Sequence, residues 1–258
     1  MRGLINSCII AFAMYSKIPM PRADWNEKNM KYVFCFFPLV GAVIGAIVYG
    51  IWNLSGLLSF GTSFRAVCLV AVPLVITGGI HLDGYLDTAD AMSSWQERER
   101  RLEILKDSHA GAFAIIAGGF YFLFYFGIFS QMGGDALPVV AAAFVLSRAL
   151  SGISVMHFPK AKKTGTVSEF SKKAENRKVT VVLVLYALAA AALMLYLNWI
   201  SGIAALAAAG LIFIWYYHMA MKYFGGINGD LAGCFLTVAE VGMAFAAVLA
   251  ETIVRYLA

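Results

Sequence analysis

Long apolar stretches dominate the chain, and short polar segments separate them. A helix needs roughly 20 consecutive apolar residues to cross the hydrocarbon core of a bilayer, and each stretch approaches that length. The alternation typical of membrane strands is missing, so we expect helices, which satisfy their own backbone hydrogen bonds in lipid. The pattern predicts seven spans, at about 32–52, 66–82, 110–132, 136–157, 179–200, 202–221 and 231–254.

The amino-terminal segment, residues 1–16, is apolar but shorter than a span. It has no small-residue cleavage site of the kind that follows a signal peptide, so we expect an interfacial or re-entrant helix. The overall prediction is an all-α, polytopic integral membrane helix bundle. Residues 1–258 are expected to form one membrane-embedded domain.

The composition excludes a soluble protein. Hydrophobic residues make up 61% of the chain and charged residues 14%, with a mean hydropathy of +0.76. Soluble domains are typically about 45–50% apolar and about 25% charged. The net charge of +5 is better explained by loops that face anionic lipid than by nucleic-acid binding, so the lipid bilayer is the expected partner. The four cysteines lie far apart and form no zinc or disulfide pattern.

The basic residues predict the orientation of the chain. All lysines and arginines except Arg65, Arg148 and Arg255 lie in four segments that seven alternating spans place on one side. The positive-inside rule makes that side cytoplasmic, so we expect a multi-pass protein of the cell inner membrane with these loops in the cytoplasm. The four segments are 1–31, 83–109, 158–178 and 222–230.

An acidic stripe follows the second predicted span. Asp83, Asp87 and Asp90 are spaced i, i+4 and i+7, so they share one face of a helix. Neighbouring carboxylates repel one another unless a cation lies among them, and Mg²⁺ commonly binds one or two carboxylates together with substrate phosphates. The stripe therefore predicts a Mg²⁺–diphosphate site. The alternative is a solvated helix end with three ordinary surface acids.

A second motif directly precedes the third predicted span. Asp107 and Ser108 are good helix N-cap residues, and capping alone could explain them. The functional interpretation makes Asp107 a metal ligand, with Lys106 and Ser108 binding phosphate near a helix start that favours anions. His81 and His109 flank the two acidic motifs and are candidate general bases for a hydroxyl. Their alternative role is that of ordinary hydrogen-bonded interfacial residues.

A third motif places three glycines before an acid. Gly225, Gly226 and Gly229 allow a close approach of ligand to backbone, and Asp230 follows at the start of the last span. This pattern predicts a loop that binds phosphate, with Asp230 as a metal ligand. A flexible turn with an aspartate N-cap is the alternative.

One basic residue lies inside a predicted span. A charge in hydrocarbon must be paired or must face a cavity, and Glu240 in the last span is a candidate partner for Arg148. Arg148 is therefore predicted either to bind an anionic substrate or to brace the bundle.

These motifs have a counterpart in a known family. The stretches that match, in order and spacing, are Lys17–Arg22, Phe37–Gly41, Gly78–Asp90, Leu105–Ala112, Ser147–Arg148, and Gly225–Asp230 with Glu240 downstream. Over nearly the whole chain the sequence resembles the cobalamin synthases, the adenosylcobinamide-GDP ribazoletransferases. Asn228 stands where threonine is common in that family.

The resemblance implies a Mg²⁺-dependent transferase of the inner membrane. A hydroxyl of α-ribazole, or of its 5′-phosphate, attacks the cobinamide-side phosphorus of adenosylcobinamide-GDP. GMP leaves, and adenosylcobalamin or its 5′-phosphate forms. In this scheme Asp83 and Asp87 are catalytic as well as metal-binding, and a carboxylate, His81 or His109 removes the proton. Self-association into a homo-oligomer is left open.

Three rival functions share part of this pattern. A membrane prenyltransferase also binds a diphosphate through aspartates and Mg²⁺, but it needs an isoprenoid groove. An alcohol phosphatidyltransferase has a D-x2-D-G-x2-A-R pattern, whereas here Tyr85, Leu86 and Asp87 follow Asp83-Gly84. A cation transporter carries its acids at mid-membrane, whereas these acids are predicted at one membrane surface.

Overall fold

A computed structural model describes residues 2–107, 109–161, 169, 172 and 174–257 of the chain. These residues are mainly helical, in agreement with the all-α prediction. The helices are α1 (Arg2–Tyr15), α2 (Glu27–Met30), α3 (Val33–Leu57), α4 (Thr62–Thr77), α5 (Ile80–Ser93), α6 (Arg98–Ile104), α7 (Ala112–Gln131), α8 (Leu137–His157), α9 (Asn176–Leu197), α10 (Trp199–Phe224) and α11 (Gly229–Leu257).

Six of the described helices, α3 and α7 to α11, are long and apolar enough to cross a membrane. The pair α4 and α5 makes a seventh if it is counted as one broken span. Large apolar side chains point outward, as lipid requires: Leu123, Leu185 and Leu211 are 75%, 60% and 70% exposed. The prediction of a polytopic membrane bundle is therefore confirmed. Helix α1 is apolar and shorter than a span, as expected.

The second predicted span is divided in two. In place of one helix over 66–82, α4 ends at Thr77 and the chain bends by 94° into α5. Gly78 and Gly79 cause the bend, because both have left-handed backbone angles (φ +66° and +79°) that side chains with a Cβ rarely adopt. Helix α5, with its acidic stripe, therefore turns away from the axis of α4.

Helices α8 and α11 form the interior of the bundle. In their apolar segments, 78% and 72% of the residues are buried. Helix α3 packs on α8 through Gly41 and Gly45, where an added Cβ would lie 2.2 Å from the carbonyl oxygens of Phe144 and Ala141. Small residues four apart let the backbones of two membrane helices approach closely. This contact fixes α3, which carries part of the wall of the site.

The distribution of basic residues assigned four polar segments to one side of the membrane. These four segments pack together at one end of the bundle. Loops that belonged to opposite membrane faces could not make these contacts, so their shared side is supported by the fold. The contacts are Lys31 Nζ with Glu175 (2.6 Å), a parallel bridge between Lys160 and Ile227, and the Arg98 guanidinium against Gly225.

Candidate active site

Helices α5 and α11 approach closely at Gly84. A Cβ on Gly84 would lie 2.5 Å from the carbonyl oxygen of Asp230 and 2.9 Å from its Cα, so only glycine fits. The close approach brings Asp230 beside the acidic stripe: Asp87 has unfavourable charge interactions with Asp83, Asp90 and Asp230. Four of the five predicted metal ligands, from two separate motifs, are thus gathered at one end of the bundle.

Asp90 is also part of the contact between α5 and α7. Its two carboxylate oxygens accept hydrogen bonds from the backbone N–H groups of Gly111 (2.6 Å) and Ala114 (2.8 Å) at the start of α7. A Cβ on Gly111 would come within 2.7 Å of this carboxylate. Asp90 therefore caps α7 from a neighbouring helix. Metal binding by Asp90 stays a prediction.

The second motif forms a solvent-facing turn before α7. Asp107 Oδ1 accepts a hydrogen bond from the backbone N–H of His109 (3.0 Å) and lies 2.7 Å from His109 Nδ1. These bonds to His109 lower the pKa of Asp107 below its usual value. The side chains of Asp107 and His109 are 58% and 91% exposed, and Lys106 is exposed as well. The structure does not bring Asp107 among the four carboxylates, and Ser108 lies outside the described residues.

The two leading glycines of the third motif end α10. The N–H groups of Gly225 and Gly226 donate to the carbonyl oxygens of Met221 and Ala220, in the pattern that commonly terminates a helix. Gly226 also packs against the backbone of Lys160, where a Cβ would lie within 2.5 Å. Their amides are therefore occupied, and phosphate binding by these two residues stays a prediction.

Asn228 and Gly229 begin α11 and orient its acid. The Asn228 side chain accepts a hydrogen bond from the N–H of Leu231 (2.9 Å) and donates one to Asp230 Oδ2 (2.9 Å). Asn228 thus caps α11 and fixes the Asp230 carboxylate. Gly229 lines a cavity together with Asp230.

Arg148 is fully buried and bonded to Glu240, so the predicted pair between α8 and α11 is present. Its Nη1 also donates to the carbonyl oxygen of Phe144 and to Ser147 Oγ, both at 3.0 Å. A buried charge must be paired in this way. These contacts support the bracing role, and substrate binding by Arg148 stays a prediction.

Two cavities flank Asp83. The first, here called the aromatic cavity, has a volume of about 230 Å³. The second, the Lys17 cavity, has a volume of about 550 Å³. The aromatic cavity is lined by Met14, Tyr15, Phe34, Phe37, Ile80, His81, Asp83, Ser151, Val155, Gly229, Asp230, Ala232, Gly233 and Leu236. The Lys17 cavity is lined by Ala13, Met14, Ser16, Lys17, Thr77, Gly78, Gly79, Ile80, Leu82, Asp83 and Leu86.

The two candidate bases have different surroundings. His81 is 9% exposed and lines the aromatic cavity, and its Nε2 has no hydrogen-bond partner among the described residues. His109 is on the surface and paired with Asp107. Of the two, His81 is the one that shares a cavity with Asp83 and Asp230.

The donor set fits a hard divalent cation. Asp87 has charge interactions with three other carboxylates and with no described lysine or arginine. Within the described ranges, no three His, Cys, Asp or Glu residues converge closely enough to hold a metal ion by themselves. Mg²⁺ does not need three, because it binds through one or two carboxylates with substrate phosphates and water as the other ligands. Asp83, Asp87 and Asp230 are the candidates from which one or two such ligands would come.

Several residues that organise the site were assigned no role from the sequence. Gly84 and Gly111 are needed because other backbone or carboxylate atoms occupy the place of a Cβ. Lys17 lies across the glycine bend, with its N–H bonded to the carbonyl oxygen of Ile76 (2.7 Å). Asn228 was noted only as a departure from threonine, although an Asn two residues before an Asp at a helix start is a recognisable capping signal.

The fold and the site define a class: a polytopic helical membrane protein with an acidic site at one end of the bundle. Residues 7–248 match the family model described as cobalamin-5-phosphate synthase. The chain therefore belongs to the cobalamin-5-phosphate synthase family, whose members are transferases of cobalamin biosynthesis.

Curated relatives agree over almost their full length. An adenosylcobinamide-GDP ribazoletransferase of Lachnoclostridium phytofermentans is 47% identical over 252 residues, which cover 98% of this chain and 97% of the relative. Proteins of the same name from Listeria monocytogenes and Geobacillus thermodenitrificans are 32% and 30% identical, over 89% and 93% of this chain and 92% and 94% of the relatives. No solved structure matches the chain.

Proposed function

We propose that this protein transfers adenosylcobinamide phosphate from adenosylcobinamide-GDP to a hydroxyl of α-ribazole or of its 5′-phosphate, with Mg²⁺ as cofactor. The products are GMP and adenosylcobalamin or its 5′-phosphate. The family and the names of its relatives support the two substrates. The observation that carries the Mg²⁺-dependent mechanism is the approach of Asp230 on α11 to Asp83 and Asp87 on α5, made at Gly84.

One or two of these carboxylates would hold the metal against the diphosphate, with phosphate oxygens and water as its other ligands. The candidate ligands are Asp83 and Asp87 on α5 and Asp230, oriented by Asn228, on α11. Bound Mg²⁺ neutralises charge on the diphosphate and on the departing GMP and makes the phosphorus more electrophilic. Without the cation, these carboxylates would repel one another and would also repel the anionic substrate.

The protein's own groups supply the remaining steps. The proton of the attacking hydroxyl would pass to one of these carboxylates or to His81, whose Nε2 has no hydrogen-bond partner among the described residues. The Arg148–Glu240 pair holds α8 against α11, and Asp90 holds α5 against α7. These contacts keep the carboxylates and His81 at fixed positions relative to one another, and catalysis by correct positioning of groups requires this.

We further propose that the protein lies in the bacterial inner membrane with the acidic end in the cytoplasm. The concentration of basic residues in the four segments at that end supports this orientation. Both substrates are large and polar, so a site at the membrane surface can receive them from the aqueous phase.

Purified protein in liposomes tests the reaction. We expect adenosylcobinamide-GDP, α-ribazole and Mg²⁺ to yield GMP and a cobamide, separated by chromatography, and EDTA to abolish both products. An isoprenyl diphosphate in place of adenosylcobinamide-GDP should give no pyrophosphate. Pyrophosphate release from the isoprenyl substrate, with no GMP from adenosylcobinamide-GDP, would favour the prenyltransferase instead.

A further inference from the structure

One wall of the aromatic cavity is built from rings in tilted and edge-on contact. The centroids of Tyr15 and Phe37 are 4.2 Å apart, and Phe34 meets Phe37 edge-on at 6.3 Å. The His81 ring lies 6.1 Å from Phe37 and completes the wall. Helices α1, α3 and α5 each contribute to it. Such walls bind flat aromatic groups, because rings favour offset and edge-to-face contacts with one another.

A residue that lines the same cavity has an unsatisfied polar atom. His81 is more than nine-tenths buried, yet its Nε2 has no hydrogen-bond partner among the described residues. Buried polar side-chain atoms are nearly always hydrogen-bonded, so an unsatisfied atom on a residue that lines a cavity indicates a polar ligand. A wholly apolar occupant such as a lipid chain would leave this atom unsatisfied.

The two cavities differ in charge. None of the described residues that line the aromatic cavity is a lysine or arginine, whereas the Lys17 cavity contains Lys17. An anionic nucleotide is therefore better accommodated beside Lys17, and an uncharged group is better accommodated among the rings. The two cavities share Met14, Ile80 and Asp83, so groups bound in them would meet at Asp83.

We propose that the aromatic cavity binds the planar base of the ribonucleoside nucleophile. This inference rests on the proposed function and adds the place of one substrate. At about 230 Å³ the cavity suits a bicyclic base and part of its ribose, and it is far too small for a corrin ring. The ribose hydroxyl then points toward Asp83 and Asp230, where it faces a diphosphate held on the side of Lys17.

The kinetics of two variants test the assignment. Phe37→Leu removes a ring from the wall, and Ala232→Leu fills the cavity without removing one. Each should raise KM for α-ribazole about tenfold, a change of about 1.4 kcal/mol, and leave KM for adenosylcobinamide-GDP within about twofold. Phe129→Leu is the matched control, because Phe129 is equally buried but packs on Tyr125 in α7.

Equilibrium dialysis of α-ribazole in the absence of the other substrate gives a readout independent of turnover. We expect weaker binding to Phe37→Leu and Ala232→Leu and unchanged binding to Phe129→Leu. A rise in KM for adenosylcobinamide-GDP alone, or equal effects in the control, would overturn the assignment. If wild-type protein forms no product, the proposed function fails, and the dialysis still decides whether this cavity binds the nucleoside.

Discussion

Gly84→Ala is the substitution that most directly probes how the site is assembled. The added Cβ would lie 2.5 Å from the carbonyl oxygen of Asp230, where ordinary contacts are 3.4–4 Å. Helices α5 and α11 would have to separate by about 1 Å locally. That movement carries Asp230 away from Asp83 and Asp87 and widens the space between the carboxylates.

We expect Gly84→Ala to reduce the catalytic rate strongly and the stability of the fold to a smaller extent. A displacement of about 1 Å in a positioned group can lower a rate about 100-fold. Overpacking of a helix contact typically destabilises by about 1–3 kcal/mol. We therefore expect kcat for Mg²⁺-dependent GMP release to fall about 100-fold, while the protein still elutes as a folded species and melts several degrees lower.

Alanine substitutions at two further glycines, where a Cβ has progressively more space, allow a graded comparison. A Cβ on Gly233 would lie 3.2 Å from the carbonyl oxygen of His81, and one on Gly127 would meet nothing within 4 Å. Gly233→Ala should be mildly impaired and Gly127→Ala unimpaired. Wild-type kcat in folded Gly84→Ala protein would refute the argument that this close approach forms the site.

Two other contacts make separate predictions. Asp90→Ala leaves the N–H groups of Gly111 and Ala114 without their acceptor and should destabilise the protein by about 0.5–2 kcal/mol, measured by thermal melting in detergent; an unchanged melting temperature would contradict its capping role. Glu240→Gln leaves the buried Arg148 charge without its anionic partner and should cost up to about 3–5 kcal/mol, whereas the double variant Arg148→Met/Glu240→Leu should recover much of it. Melting temperatures no higher in the double variant than in Glu240→Gln would show that the unpaired charge of Arg148 is not what destabilises the single variant.

The helices were predictable because hydrocarbon leaves few alternatives. Runs of apolar residues must be helical and must be about as long as the bilayer is thick, so six spans follow from the pattern alone. The bend at Gly78 and Gly79 did not follow, although the glycines were visible. Whether a glycine pair continues or breaks a helix depends on its backbone angles, which the sequence does not specify; here both are left-handed, and Lys17 packs against Gly78.

The acids were recognised, but their individual roles were not. Spacing placed Asp83, Asp87 and Asp90 on one face, yet Asp90 turns to the amides of α7, a contact across 21 residues that no local pattern reveals. The glycines at 225 and 226, predicted to form a phosphate-binding loop, terminate α10, and phosphate binding by them stays a prediction. These helix-terminating and capping contacts join residues that are distant in sequence or depend on backbone angles, so they could not be predicted from the sequence pattern.

The central claim is that carboxylates from α5 and α11 hold Mg²⁺ against a diphosphate substrate. The most direct test is GMP release by Asp87→Asn as Mg²⁺ is titrated, with Asp135→Asn in an exposed loop of the described chain as control. We predict that wild type and Asp135→Asn share the same Mg²⁺ dependence. Asp87→Asn should remain folded and lose at least about 100-fold in rate at every Mg²⁺ concentration, or need far more Mg²⁺. An Asp87→Asn protein with wild-type rate and wild-type Mg²⁺ dependence would contradict the claim.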